Sequence, residues 1–146
     1  MKRNRWHAHL AITLALATAV GAYAYAETRK VTPAPAGPGE WQVIGTVQAD
    51  HTADHDAIIV KGPFDDFSKI KFIVTDAPVN IHRLVVTYDN GDPDRIPVRD
   101  SIKEGGESRV IDLEGRRARS IRKIEFWYDT KGSGKGKADV TVYGMK

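Results

Sequence analysis

The segment Asp50–Asp56 reads DHTADHD, three aspartates and two histidines in seven residues. Oxygen and imidazole donors at that density suggest a metal site, and the backbone beneath them decides which metal. His51 and His55 are four apart, a spacing that shares one face of a helix. Along a strand the same pair stands about 13 Å apart, at about 3.3 Å per residue. No helical partner face surrounds them, so a helix-borne zinc site is not expected. In a loop, Asp50, Asp54 and Asp56 would offer oxygens to calcium, which accepts irregular geometry and takes about six to eight of them. The glycine pattern of an EF-hand loop is missing. The plainer reading is a polar turn in which Asp54 or Asp56 accepts hydrogen bonds from turn amides before a buried strand. Calcium at Asp50, Asp54 and Asp56 is the alternative, and no other cofactor is expected.

The second concentration of chemistry is basic. GRRARSIRK gathers Arg116, Arg117, Arg119, Arg122 and Lys123, with Trp127 four residues further on. Guanidinium forks match phosphate and carboxylate, and an aromatic neighbour offers a sugar ring a surface. The expectation is a recognition face for a glycan, an anionic lipid headgroup or a protein. The plainer alternative is a solvated strand face behind a turn at Gly115.

Catalysis has less to stand on. The chain has no cysteine. None of Ser68, Ser101, Ser108, Ser120 and Ser133 sits in G-x-S-x-G, and past the N-terminal segment the histidines are His51, His55 and His82. GSGKGK (Gly132–Lys137) departs from a phosphate-binding loop, with Asp129 in place of the first glycine and Gly136 in place of Ser or Thr. It reads as a hairpin tip. The protein is therefore expected not to be an enzyme, with a hydrolase lacking any recognisable motif as a third reading.

The elements that must position these residues begin after an export signal. Lys2, Arg3 and Arg5 precede an alanine-rich apolar run, Ala8–Gly21, and Ala24-Tyr25-Ala26 supplies the small residues of a cleavage site. The run is short for a bilayer span, so cleavage after Ala26 and a periplasmic or secreted product are expected, without a transmembrane segment. No cysteine follows the cleavage site, which excludes a thioether lipid anchor. The whole chain has 22 Lys and Arg against 19 Asp and Glu. Three basic residues and no acidic one leave with the signal, so the exported chain has 19 of each and no net charge. The basic pI is a targeting feature, and nucleic acid is not an expected partner.

Residues 27–40 (ETRKVTPAPAGPGE) read as a proline- and glycine-rich linker. Residues 41–146 then read as one domain, long enough to bury roughly 60–70% of its unfolded surface. Without disulfides its core must hold it. Its charge is uneven: from Trp41 to Asp100 ten acids outnumber six bases, and from Ser101 to Lys146 eleven bases outnumber seven acids. Neighbouring strands from the two halves are expected to cancel this.

Period-2 alternation recurs between turn residues. Strands are expected at Trp41–Val47, Asp56–Gly62, Lys69–Asp76, Val79–Tyr88, Arg95–Val98, Ser108–Leu113, Ser120–Asp129 and Ala138–Gly144. The fourth is apolar on both faces, as in a central strand or one that carries a bulge. Ser101–Ser108 has room for one helical turn. About eight short strands with frequent turns predict an all-β fold, an antiparallel β-sandwich of jelly-roll kind.

Several of these stretches together resemble a family of small exported proteobacterial proteins grouped as a domain of unknown function, with a periplasmic Escherichia coli member. The resemblance rests on VIG (Val43–Gly45), DHDAII (Asp54–Ile59), VVTYDNGDPDRIPV (Val85–Val98), IKEGGESRVIDLEGRRARSIRKIEFWY (Ile102–Tyr128) and ADVTVYG (Ala138–Gly144). GGESRVIDLEGR is its most specific part. The resemblance implies a compact periplasmic β-sandwich and no particular activity. Asp54 and Asp56 belong to the pattern, whereas His51 and His55 do not.

Overall fold

The computed structural model describes residues 27–49, 54–115, 117–130 and 137–146. The signal expected at 1–26, the loop residues 50–53, Arg116 and the hairpin tip 131–136 lie outside the described residues. Among the described residues every regular element is a strand: β1 (Glu27–Val31), β2 (Gln42–Ala49), β3 (Asp54–Val60), β4 (Asp66–Phe67), β5 (Lys69–Thr75), β6 (Val79–Tyr88), β7 (Pro93–Ile96), β8 (Asp100–Ile102), β9 (Ile111–Asp112), β10 (Arg119–Asp129) and β11 (Ala138–Met145).

They form two packed sheets. The larger runs β1-β3-β10-β6-β7, with β4 pairing β10 and β8 pairing β6, and the smaller runs β2-β11-β5-β9. Without β1, β4 and β8, eight strands remain. Counted along the chain, the smaller sheet holds the first, eighth, third and sixth, and the larger the second, seventh, fourth and fifth. Successive strands change sheet at every step but one, which is jelly-roll winding. The expected sandwich of about eight strands is present, with three additional short ones.

Two local expectations are corrected. Glu27–Val31 is not linker: it is a strand that runs parallel to β3, Glu27 opposite Asp56 and Val31 opposite Val60. The physical reason is the otherwise unpaired edge of β3, which β1 covers. Proline reaches the chain only at Pro33, and from Thr32 to Trp41 there is no strand. Ser101–Ser108 forms no helical turn. Its start belongs to β8, and its glycines then carry the chain past β5. Glu107 bridges Ile73, and the Ser108 amide donates to the Phe72 carbonyl at 2.8 Å.

Alternation places one row of each strand between the sheets. Ile58 and Val60 of β3, Leu84, Val86 and Tyr88 of β6, and Ile124, Phe126 and Tyr128 of β10 meet Ile70, Phe72 and Val74 of β5 and Val140 and Val142 of β11. Phe72 crosses the interface to Phe126 edge to face, centroids 5.7 Å apart. That geometry suits the ring quadrupoles. The unlike halves of the chain interleave, since β10 of the basic half lies between β3 and β6 of the acidic half. Lys71–Glu107 at 3.0 Å and Lys146–Asp66 at 2.9 Å are ion pairs between the halves.

Close approach rather than backbone freedom explains Gly144. A Cβ there would stand 2.4 Å from Cδ1 of buried Phe67 and 2.8 Å from Cδ1 of Ile44. Both neighbours are core side chains with little room to yield. Gly144→Ala is expected to lower unfolding stability by about 1–3 kcal/mol through overpacking. Urea denaturation measures it, and a neutral result would show that Phe67 can turn aside.

Candidate functional site

The outward side of the larger sheet is shaped by two irregularities. In β10, Ile121 and Ile124 are both fully buried although three residues apart. Strict alternation cannot bury both, and the register with β6 accordingly shifts between Ile121 and Lys123. Arg122 is the extra residue, and it joins Lys123 in lining a hollow on the outer side. In β6, Ile81 and Leu84 are likewise three apart and buried, with a second shift opposite Trp127 and Tyr128. There His82 and Arg83 are both exposed.

Trp127 lies on β10 opposite His55 of β3 and Arg83 of β6, which flank it on either side. The His55 ring stacks on it at 3.9 Å, with planes 12° apart. The Arg83 guanidinium lies 3.7 Å from its centroid. Both faces of the indole are thus covered. The expectation that Trp127 offers a sugar a stacking surface is corrected: its neighbours in the sheet already occupy that surface.

Beside this stack, Glu125 stands between the imidazole of His55 on β3 and the ammonium of Lys123, its neighbour along the outward row of β10. One carboxylate oxygen is 3.5 Å from His55 Nε2 and the other 3.3 Å from Lys123 Nζ. Burial holds the imidazole of His55 below its ordinary value of 6.5; Glu125 works against this, and Arg83 and Lys123 reinforce it.

Next to Lys123 the face opens into a hollow of about 660 Å³, bordered by the ends of β3 and β6 and by the turn after β3. Its charged residues are Lys61, Arg122 and Lys123 with Asp65 and Asp89. Arg122 is well exposed, and its Nε stands 3.9 Å from the Asp89 carboxylate. Such a contact in solvent is weak.

At the other end of the face, His82 Nε2 lies 2.5 Å from Asp129 Oδ2, and Asn80 Nδ2 donates to Asp129 Oδ1 at 2.9 Å. A second hollow of about 620 Å³ there is lined by Asn80, His82, Arg99, Asp100 and Ser101. Ser101 is opposite Asn80 in the β6–β8 ladder. A histidine oriented by a carboxylate is half of a general-base arrangement.

The expected site residues fall in different places. Of the arginine run, Arg122 lines the hollow, whereas Arg117 is exposed in the turn before β10 and Arg116 lies outside the described residues. Arg119 is corrected from recognition to structure. Its guanidinium lies 3.7 Å from the Tyr88 ring and donates to Asn90 Oδ1 and the Glu114 carbonyl, so it ties two turns together. Asp56 is corrected from a loop ligand to a core residue. It precedes Ile58 and Val60 on the inward row of β3, is fully buried, and accepts a 2.8 Å hydrogen bond from the Tyr128 hydroxyl. Asp50 and the Asp54 side chain lie outside what is described. Among the described residues no group of three His, Asp or Glu is placed to hold a metal ion.

A family model matches residues 10–144, nearly the whole chain. The chain belongs to the family described as Domain of unknown function (DUF2541). No curated protein matches it. In this DUF2541 chain the segment GGESRVIDLEGR laces an edge. Val74 and Gly105–Gly106 exchange amide bonds of 2.8 and 3.0 Å, and Ser108 Oγ accepts from the Phe72 amide at 2.9 Å. These bonds tie the segment to β5.

The residues that sequence reasoning passed over are Lys61, Asp65, Arg83 and Glu125. Counting by twos from Trp127 reaches Glu125 and Lys123, so that row was readable. Lys61 and Asp65 join Arg122 only because β3 pairs with β10, which no local pattern signals.

His55 is favoured in its neutral form when folded, so between its lowered value and 6.5 the unfolded chain binds more protons. Its contribution is present above 6.5 and is lost as pH falls through the lowered value. Denaturant titrations on both sides of pH 6.5 should show stability falling with acid, and His55→Gln should flatten that fall. An unchanged slope in the variant would place its origin elsewhere.

Proposed function

We propose that this protein is an exported, non-enzymatic β-sandwich module of the cell envelope that recognises an anionic group on a glycan or lipid headgroup. The observation that supports the reading is the convergence of Lys61, Arg122 and Lys123 on one hollow of the outer sheet face. Phosphate and carboxylate are the anions such donors match. With both faces of Trp127 covered, recognition rests on charge and hydrogen bonding rather than on sugar stacking. Export is supported by Lys2, Arg3 and Arg5, the apolar run and the Ala24-Tyr25-Ala26 site. No helix among the described residues is long and apolar enough to cross a membrane.

Isothermal titration with glycerol phosphate and with glucuronate tests the reading. A charge-assisted hydrogen bond contributes about 1.5–3 kcal/mol, so Arg122→Ala should weaken binding about tenfold or more. Arg117→Ala, in the turn, should leave it unchanged. Equal loss in both variants, or no binding of either anion by the wild type, would defeat the assignment of the hollow.

A hydrolytic reading has one observation in its favour: the His82–Asp129 pair beside a hollow that Ser101 also lines. Ser101 would be the nucleophile, His82 its base and Asp129 the group that orients the imidazole. A fluorophosphonate probe should then label the wild type but neither Ser101→Ala nor His82→Ala. Absence of labelling in the wild type would remove this reading.

A further inference from the structure

The hollow between β3, β10 and β6 contains a feature that anion recognition alone does not require. Asp65 lines it and is only 8% exposed. Its backbone carbonyl accepts from the Ile121 amide at 2.9 Å, which anchors the residue to the bulge of β10. The carboxylate lies against the Gly62 α-carbon, where a Cβ would stand 3.5 Å from Oδ2. Among the described residues no hydrogen bond or ion pair closes on that carboxylate. Lys61, Arg122 and Lys123 border the same space, yet none is within ion-pairing distance of it.

Asp65 is mostly covered as a residue, yet neither of its oxygens is a buried unsatisfied atom, so the carboxylate opens onto the hollow, where a donor on a ligand can reach it. A purely anionic ligand would bring like charge towards Asp65. A purely cationic one would meet three basic side chains. A ligand that carries both charges matches Asp65 on one side and the three basic side chains on the other.

We propose that this hollow binds a small zwitterion, with a primary ammonium on Asp65 and a phosphate or carboxylate on Arg122, Lys123 and Lys61. The simplest such chemistry is an aminoalkyl phosphate, whether free, attached to a glycan or displayed as a lipid headgroup. The ammonium supplies the donors that the Asp65 oxygens lack, in a recess where charge-assisted bonds are stronger than in water. The anion displaces the weak 3.9 Å contact between Arg122 and Asp89. This rests on the anion-recognition reading above and narrows its ligand class.

The test is a matched pair of probes, 2-aminoethyl phosphate and ethyl phosphate, titrated calorimetrically into the full exported chain. The wild type should bind the aminated probe about tenfold more tightly, the difference expected of one charge-assisted contact. Asp65→Asn keeps the side chain's shape, and it should abolish that preference while retaining ethyl phosphate binding. Arg122→Ala should weaken both probes alike. Equal affinity for the two probes in the wild type, or a preference that survives Asp65→Asn, overturns the zwitterion and leaves the anion site standing. Failure of both probes overturns the two readings together. Cosedimentation with phosphatidylethanolamine vesicles separates the sources: binding there assigns a lipid headgroup, and binding of the free probe alone assigns a soluble or glycan-borne ligand.

Discussion

The structure depends on the burial of one apolar row on β10. This strand of eleven residues lies between β3 and β6, and its inward side chains form the floor on which the smaller sheet packs. With no disulfide in the chain, contact between the sheets must supply the cohesion. The row is not evenly spaced. Ile121 stands three residues from Ile124, whereas Phe126 and Tyr128 follow at intervals of two. Burying all four requires an extra residue, and the extra residue must go outward. Arg122 is therefore beside Lys123 because of the core. The same rule acts in β6, where Ile81 and Leu84 bring His82 and Arg83 to the surface together. The hollows beside Lys123 and beside His82 each lie next to a place where the core row skips a residue.

This coupling explains why the outer face is rich in polar partners yet poor in exposed aromatic surface. A regular strand offers one outward residue for every two, and its neighbours sit about 5 Å away on adjacent strands. Across three strands that spacing suits stacking, and Arg83, Trp127 and His55 form such a stack. Glu125 then meets an ammonium and an imidazole from the centre of the sheet. At its centre the surface is polar, and His55, Arg83, Lys123, Glu125 and Trp127 engage one another there. Among the described residues, the two hollows lie at strand ends, where the ladder stops and turns take over.

Much of the architecture was legible from the residues. Alternation located the longer strands, the proline within the short run Arg95–Val98 marked an edge, and the doubly apolar stretch of β6 pointed to a central strand with a bulge. Two kinds of feature were not legible. The pairing of β1 with β3 was hidden by the prolines just after it, because composition averages over residues that geometry treats separately. The division of the arginine run was hidden for the opposite reason. GRRARSIRK looks like one patch, but its members fall on a turn, a regular inward–outward strand and a bulge in succession. Arg119 and Arg122 share a chemistry and three residues of spacing, and one clasps turns while the other faces a ligand-sized space.

The Asp54–Asp56 pair makes the same point about charge. An aspartate next to histidines invites a metal, but its place in the alternation decides its partner. Ile58 and Val60 commit β3 to one phase, and two residues earlier that phase carries Asp56 into the core, where the Tyr128 hydroxyl meets it. Asp65 shows what happens where no strand phase operates. It follows a turn and is anchored through its own carbonyl rather than its side chain, which leaves the carboxylate facing the hollow without a partner from the strands. A carboxylate placed by the ladder finds its partner within the fold, and one placed by a turn leaves that position open to a molecule from outside.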